Sequence, residues 1–307
     1  MIEVEDLSKR YGEKLAVDGL TFTVQPGIVT GFLGPNGAGK STTMRLIAGL
    51  DRPTTGHVAV NGRDYRSARA PMAELGVLLE ARAVHTGRSA RNHLLALAHT
   101  NGIGRRRVDE VIEMVGLHDV AGQRAGGFSL GMGQRLGVAS ALLGRPKTVV
   151  LDEPVNGLDP EGILWMRTML KGMAAEGHTV FVSSHLMGEM AQTATRLIVI
   201  GRGRLIADTT VEGFVGLAGE HVVLVRTPDA ERLHALLAGP DVTITTRDAD
   251  VLLVQGLTAE QIGIIAAHGA VTLFELANQA TSLEDAFREL TNDAVEYRTT
   301  EDAAVAS

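Results

Sequence analysis

Residues 34–42 read Gly34-Pro35-Asn36-Gly37-Ala38-Gly39-Lys40-Ser41-Thr42, the pattern G-x-x-x-x-G-K-S. A short apolar run, residues 28–33, precedes it, and a run of helical character, residues 42–50, follows. Strand, glycine-rich loop and helix in that order form the setting that a phosphate-binding loop requires. The glycines let backbone N–H groups turn inward around a phosphate chain, and the helix N-terminus adds partial positive charge. Lys40 is suited to the β- and γ-phosphates and Ser41 to Mg²⁺. A glycine-rich turn matching by chance would lack this flanking pair. The segment therefore predicts binding of a nucleoside triphosphate.

At 307 residues the chain suits two domains, and its 45% hydrophobic content supplies a sizeable core. A net charge of −7 weighs against nucleic acid as the main partner. The absence of cysteine excludes disulfides, zinc–thiolate sites and thiol catalysis. The start, Met1-Ile2-Glu3-Val4-Glu5-Asp6, is acidic and too short in apolar run for a secretion signal. No window reaches about 18 consecutive apolar residues, so no transmembrane helix is expected. Action at a membrane would need another chain to cross it.

Strands are expected at residues 2–7, 20–24 and 28–33, punctuated by Gly12, Gly19 and Pro26-Gly27, and again at 57–60 and 75–80. From about 88 to 145 the apolar spacing turns helical, as in Leu94, Leu95, Leu97, Ala98 and Val108, Val111, Ile112, Val115. Thr148-Val149-Val150-Leu151-Asp152 then suits a buried parallel strand ending in carboxylates. A helix at 161–175, a strand at 179–183, a helix at 186–194 and strands near 196–200 and 204–208 follow. This alternation predicts an α/β core with a parallel sheet and a helical subdomain, about 88–145, inserted into it.

After about residue 215 the pattern resets. Strands at 222–225, 242–246, 251–254 and 271–276, with helices at 230–237 and 260–267, give the order βαββαβ of a ferredoxin-like module. A last helix at 283–290 closes it. The expected domains are 1–215 and 216–292, followed by a disordered tail at 293–307 that lacks an apolar period.

Two further segments suit phosphate chemistry. Asp152-Glu153 ends an apolar strand downstream of the loop, as carboxylates do in P-loop NTPases. Asp152 would hold the Mg²⁺ shell and Glu153 would orient and deprotonate the attacking water. Phe128-Ser129-Leu130-Gly131-Met132-Gly133-Gln134-Arg135 precedes an apolar helix, so Ser129 and Gly131 sit before a second helix N-terminus. Taken alone, Ser129 reads more readily as an ordinary N-cap than as an anion site. Two such sites in one chain make sense if the second caps a nucleotide held by another copy.

With these segments in view, residues 1–210 resemble the nucleotide-binding subunit of an ATP-binding cassette (ABC) transporter. The motifs fall in that family's order: Tyr11, then Gly34 to Thr42, then Phe128 to Met132, then Asp152-Glu153, then Asn156-Gly157-Leu158-Asp159, then His185 in Val182-Ser183-Ser184-His185. The resemblance implies that Tyr11 stacks on adenine. It implies that residues 34–42, with Ser129 and Gly131 of a second copy, hold ATP. Asp152 and Ser41 would hold Mg²⁺, Glu153 would be the catalytic glutamate, His185 would contact the γ-phosphate, and residues 156–159 would form a dimer contact.

Two positions depart from the family pattern. Glu80 stands where the family has a magnesium-contacting Gln, and a carboxylate there would repel the γ-phosphate even while ligating metal. Leu130 and Met132 stand where the family has Gly and Gln. Phe-Ser-Leu-Gly-Met followed by Gln134-Arg135 resembles the drug- and antibiotic-exporter branch.

That likeness implies an ATPase homodimer, cytoplasmic and peripheral on the inner face of the membrane, driving a separate multi-span permease. Two rival classes stand beside it. A soluble, non-transport ABC ATPase usually joins two cassettes or inserts a long coiled coil. A P-loop switch that needs no hydrolysis would not need Asp152-Glu153. Residues 216–292 carry no motif that names their chemistry, and a regulatory or dimer-contact role is expected of them.

Overall fold

A computed structural model of the chain describes residues 1–80, 84–217, 222–279 and 282–292. The expected disordered tail, 293–307, lies outside the described residues. The chain divides into two compact units, the first Met1–Val211 together with Thr291 and Asn292, the second Glu212–Leu290.

The first unit begins with two long strands, β1 (Ile2–Tyr11) and β2 (Lys14–Val24), joined by a tight turn at Gly12. Next come β3 (Val29–Leu33), α1 (Lys40–Ile47) and β4 (Thr55–Val60), then a short α2 (Pro71–Glu74) running into β5 (Leu75–Leu78). The helical stretch holds α3 (Ala90–Thr100), α4 (Arg105–Met114) and α5 (Leu130–Leu142). The chain then alternates β6 (Thr148–Leu151), α6 (Pro160–Ala175), β7 (Thr179–Ser183), α7 (Met187–Thr193), β8 (Arg196–Gly201) and β9 (Arg204–Thr210).

Two sheets result. The antiparallel order β2-β1-β4 makes the smaller one, and β5-β6-β7-β3-β8-β9 the larger. In the larger sheet every pairing is parallel except β8 with β9. β3, β6 and β7 are buried along their whole length, which explains their unbroken apolar runs. β3 is central, between β7 and β8, so the loop that leaves it emerges at the carboxyl ends of its neighbours. Such edges are where open α/β sheets bind ligands.

Phe22, Phe32 and Phe181 cluster between the two sheets, with ring centroids 4.9–6.0 Å apart. Met44, Leu46 and Ile47 of α1 join the same core. One face of α1 is thereby pinned, and its N-terminus is fixed against the end of β3.

The second unit runs α8 (Val211–Leu217), β10 (Val222–Arg226), α9 (Ala230–Leu237), β11 (Thr243–Asp248), β12 (Val251–Gln255), α10 (Ala259–His268), β13 (Glu275–Gln279) and α11 (Leu283–Thr291). Its sheet order is β11-β12-β10-β13 with every pairing antiparallel, the ferredoxin-like arrangement. Leu233, Leu237, Ile262 and Ala266 of its helices pack on Val223, Val225, Leu252 and Val254. The expected strand at 271–276 forms instead at Glu275–Gln279. Val271 points into the core, and pairing with β10 starts only at Arg226 opposite Glu275.

Candidate functional site

The loop after β3 is shaped by glycines whose space is already taken. Gly39 caps α1 at φ 102°, and a Cβ there would stand 2.4 Å from the carbonyl oxygen of Ala16. A Cβ on Gly34 would stand 2.5 Å from the carbonyl oxygen of Ile200. Neither backbone contact can yield, so the sequence demands glycine at both positions. Lys40 folds back over the loop and donates from Nζ to the carbonyls of Gly34 at 2.6 Å and Pro35 at 3.2 Å. Burial lowers the Lys40 pKa, against the opposing pull of Glu153 and Asp152. A half-buried ammonium facing two carboxylates and backbone carbonyls is poised for a polyphosphate.

The carboxylates arrive from the neighbouring strand. Asp152 follows β6 directly, and its N–H donates to the carbonyl of Leu78 at 2.7 Å. Ser41 Oγ donates to Asp152 Oδ2 at 2.9 Å, joining the first turn of α1 to the end of β6. Ser183, at the end of β7, donates its hydroxyl to Asp152 Oδ1 and accepts the N–H of Glu153 at 2.9 Å. Three parallel strands thus converge on one carboxylate pair.

Glu153 has φ 50°, in the left-handed region that favours glycine. For a residue with a Cβ this costs about 1–2 kcal/mol, and the surroundings must hold it. They do so on every side. Ser183 Oγ takes the N–H, while the Glu153 carbonyl accepts from Gln134 Nε2 at 3.1 Å and from Asn156 N at 3.2 Å. The carboxylate accepts from the His185 N–H at 3.2 Å, and Glu153 Oε2 lies 2.7 Å from His185 Nδ1. With Glu153 ionised, that contact needs the proton on Nδ1.

The structure therefore gathers Lys40, Ser41, Asp152, Glu153 and His185 around the loop formed by Gly34, Pro35, Asn36, Gly37, Ala38, Gly39 and Thr42. Ser129 and Gly131 lie at the start of α5, where Ser129 is the N-cap and its Oγ accepts from Met132 N at 3.2 Å. Tyr11 sits at the β1–β2 turn, with Lys9 Nζ 4.8 Å over its ring and its hydroxyl donating to Asp51 at 2.8 Å. Asp51 also pairs with Arg45 of α1 at 2.8 Å. Glu80 is exposed, two residues beyond β5, next to the strand that carries Asp152. Asp159 caps α6 by accepting the Gly162 N–H at 2.9 Å.

Sequence reasoning missed two residues of this constellation. Ser183 stood inside a quoted motif with no role attached, and Gln134 was read only as part of the signature segment. A buried serine beside Ser184-His185 and a buried glutamine on an apolar helix were the available signals.

A family model described as ABC transporter matches residues 17–156, spanning the glycine loop, Ser129, Asp152 and Glu153. The chain is 40% identical over 211 residues to the bacitracin transport ATP-binding protein BcrA of Bacillus licheniformis, covering 68% of this chain and 69% of that one. This chain belongs to the ABC transporter family. The cassette is also 32% identical over 303 residues to the daunorubicin resistance ATP-binding protein DrrA3 of Streptomyces coeruleorubidus, covering 95% of this chain and 96% of that one. Among solved structures, it matches MJ0796, a bacterial ABC transporter cassette with a dimeric structure, at TM-score 0.63 and 25% identity. That match covers 68% of this chain and 98% of the other. A second model, described as a domain of unknown function, matches residues 221–284.

As an ABC ATPase the chain binds ATP with Mg²⁺ and hydrolyses it. The donors present fit that metal: Ser41 Oγ and Asp152 Oδ2 are hard oxygens side by side. Mg²⁺ takes one or two protein oxygens plus phosphates and water rather than an all-protein cage. Accordingly, no group of three or more His, Cys, Asp or Glu positioned for a metal occurs among the described residues. No helix among them is long and apolar enough to cross a membrane.

Proposed function

We propose that this cassette is the motor of an exporter of antibiotics, drugs or other hydrophobic compounds, working as a homodimer on a separate multi-span permease. The observation that carries the reading is the convergence of Ser41, Asp152, Ser183, Glu153 and His185 at the phosphate loop. The names of BcrA and DrrA3 support the substrate class, and the dimeric MJ0796 cassette supports the assembly. The domain spanning 1–215, with its helical subdomain at about 88–145, is the engine. Residues 216–292 serve as an accessory regulatory or dimer-contact module. The motor sits on the inner face of the membrane, held there by its permease.

In this reading Tyr11 stacks on adenine, and the backbone N–H groups of residues 34–42 surround the phosphates. Lys40 exchanges the Gly34 and Pro35 carbonyls for phosphate oxygens. Ser41 and Asp152 would hold Mg²⁺, which would supply charge neutralisation on the phosphates. Glu80, two residues beyond β5, would complete or border that shell. Glu153, steadied by His185, accepts a proton from the attacking water. Ser129 and Gly131 of the partner copy cap the γ-phosphate, so ATP holds the dimer shut by mass action.

Purification from host membranes, followed by reconstitution with the multi-span protein that accompanies it, tests the reading. Transport-coupled ATPase activity stimulated by an apolar drug or peptide antibiotic is the expected result. Full, unstimulated activity from a chain recovered without any membrane partner would favour the soluble ABC ATPase instead.

A further inference from the structure

Gln134 lies on α5, five residues beyond Ser129, a rise of about 7.5 Å along a helix. Its side chain is 2% exposed, and its amide donates from Nε2 to the Glu153 carbonyl at 3.1 Å. The contact does not stand alone. A Cβ on Gly157 would stand 2.2 Å from Leu130 Cδ2, so Leu130 lies directly over that glycine. A Cβ on Gly131 would stand 3.0 Å from the Gly157 carbonyl oxygen. The first turns of α5 and the loop after Glu153 therefore form one packed block, tied by one hydrogen bond to the backbone of a strained residue.

We propose that Gln134 is a positioning residue coupling the two nucleotide sites of the dimer. When α5 caps the partner's nucleotide through Ser129 and Gly131, Gln134 passes that docking to the same chain's own Glu153. The Glu153 peptide is then fixed at its carbonyl by Gln134 as it is at its N–H by Ser183. Hydrolysis in one site thereby responds to occupancy of the other. The inference rests on the shared-site motor reading above.

Trp165, the only tryptophan in the chain, supplies a built-in reporter. Arg135, next to Gln134, stacks its guanidinium 4.4 Å over the Trp165 ring and donates to the Val115 carbonyl at 2.9 Å. Movement of α5 therefore reads out as a change in Trp165 emission.

The test compares full-length wild type with Gln134→Met, which keeps length and removes the donor. Steady-state ATPase, equilibrium ATP binding, Tm and ATP-induced Trp165 emission are measured. The variant is expected to lose up to about tenfold in kcat, the scale of one hydrogen bond, and its Hill coefficient should fall toward one. ATP affinity, Tm and the Trp165 response should stay at wild-type levels. Unchanged kcat and Hill coefficient would overturn the proposal. So would parallel losses of ATP affinity and Tm, which mark a structural role only. A wild type that hydrolyses ATP without cooperativity would overturn the coupling and leave the motor reading intact. A wild type that binds ATP but never hydrolyses it would overturn the motor reading and the coupling with it.

Discussion

Glu153 Oε2 accepts the backbone N–H of His185 at 3.2 Å and lies 2.7 Å from the same residue's Nδ1. The two side chains thus join the loop after β6, which carries Glu153, to the loop after β7, which carries His185. His185→Ala should lower kcat by about 10–100-fold, since hydrogen bonds to charged groups contribute about 1.5–3 kcal/mol. KM for ATP should change far less. Steady-state ATPase kinetics check this; a raised KM at unchanged kcat would place His185 in ground-state binding alone.

Ser183 satisfies Asp152 and the Glu153 N–H with one buried hydroxyl. Ser183→Ala should destabilise the chain by about 1 kcal/mol or more by leaving the half-buried Glu153 N–H without its acceptor. It should also raise the Mg²⁺ concentration needed for half-maximal activity. Thermal unfolding and a Mg²⁺ titration read the two effects. Retention of both values would show that the Glu153 peptide needs no side-chain support.

The motifs that specify the site lie in short contiguous segments, and that is why they were legible. Residues 34–42 and 152–153 each carry their chemistry within one strand end. The βαββαβ order was also readable, because turn residues separate its apolar runs. What escaped depends on pairing across the fold. Ser183 matters only because β7 lies beside β6, and Gln134 only because α5 packs on the loop after Glu153. The misplaced last strand has the same origin. Val271-Thr272-Leu273-Phe274 has strong strand character, yet Phe274 is exposed and the ladder on β10 begins one residue later. The three-stranded antiparallel sheet beside the parallel one was equally invisible, because strand partners do not follow from runs.

Lys40 has a pKa lowered from 10.5, chiefly by burial. A lowered lysine pKa means that the unfolded chain binds more protons between the two values, so stability rises with pH across that window. Below it, the charged amine opposes folding. Lys40→Met should therefore match or exceed the wild-type Tm at neutral pH without nucleotide, and the gap should close as pH climbs toward 10.5. The same variant should lose about 10–100-fold or more in ATP affinity. Thermal scans over pH and equilibrium binding measure both. A variant less stable at neutral pH, or one with unchanged affinity, would contradict the assignment.

Gly39→Ala should abolish nucleotide binding. The left-handed φ of 102° and the 2.4 Å approach to the Ala16 carbonyl leave no position for a methyl group. Either β2 shifts or the loop opens, and the N–H groups lose their convergence. Equilibrium titration with ATP gives the answer; wild-type affinity would mean that the loop does not need this backbone.

In the proposed motor each ATP is shared between two copies, held by residues 34–42 of one and capped by Ser129 and Gly131 of the other. Light scattering of purified Glu153→Gln, with and without Mg-ATP, reads that sharing as a change of mass. The substitution removes the Glu153 carboxylate while leaving the residues of the phosphate loop in place, so addition of Mg-ATP should convert monomer to a stable dimer. A variant that binds ATP tightly, stays monomeric and remains so when the permease is added would contradict the shared site.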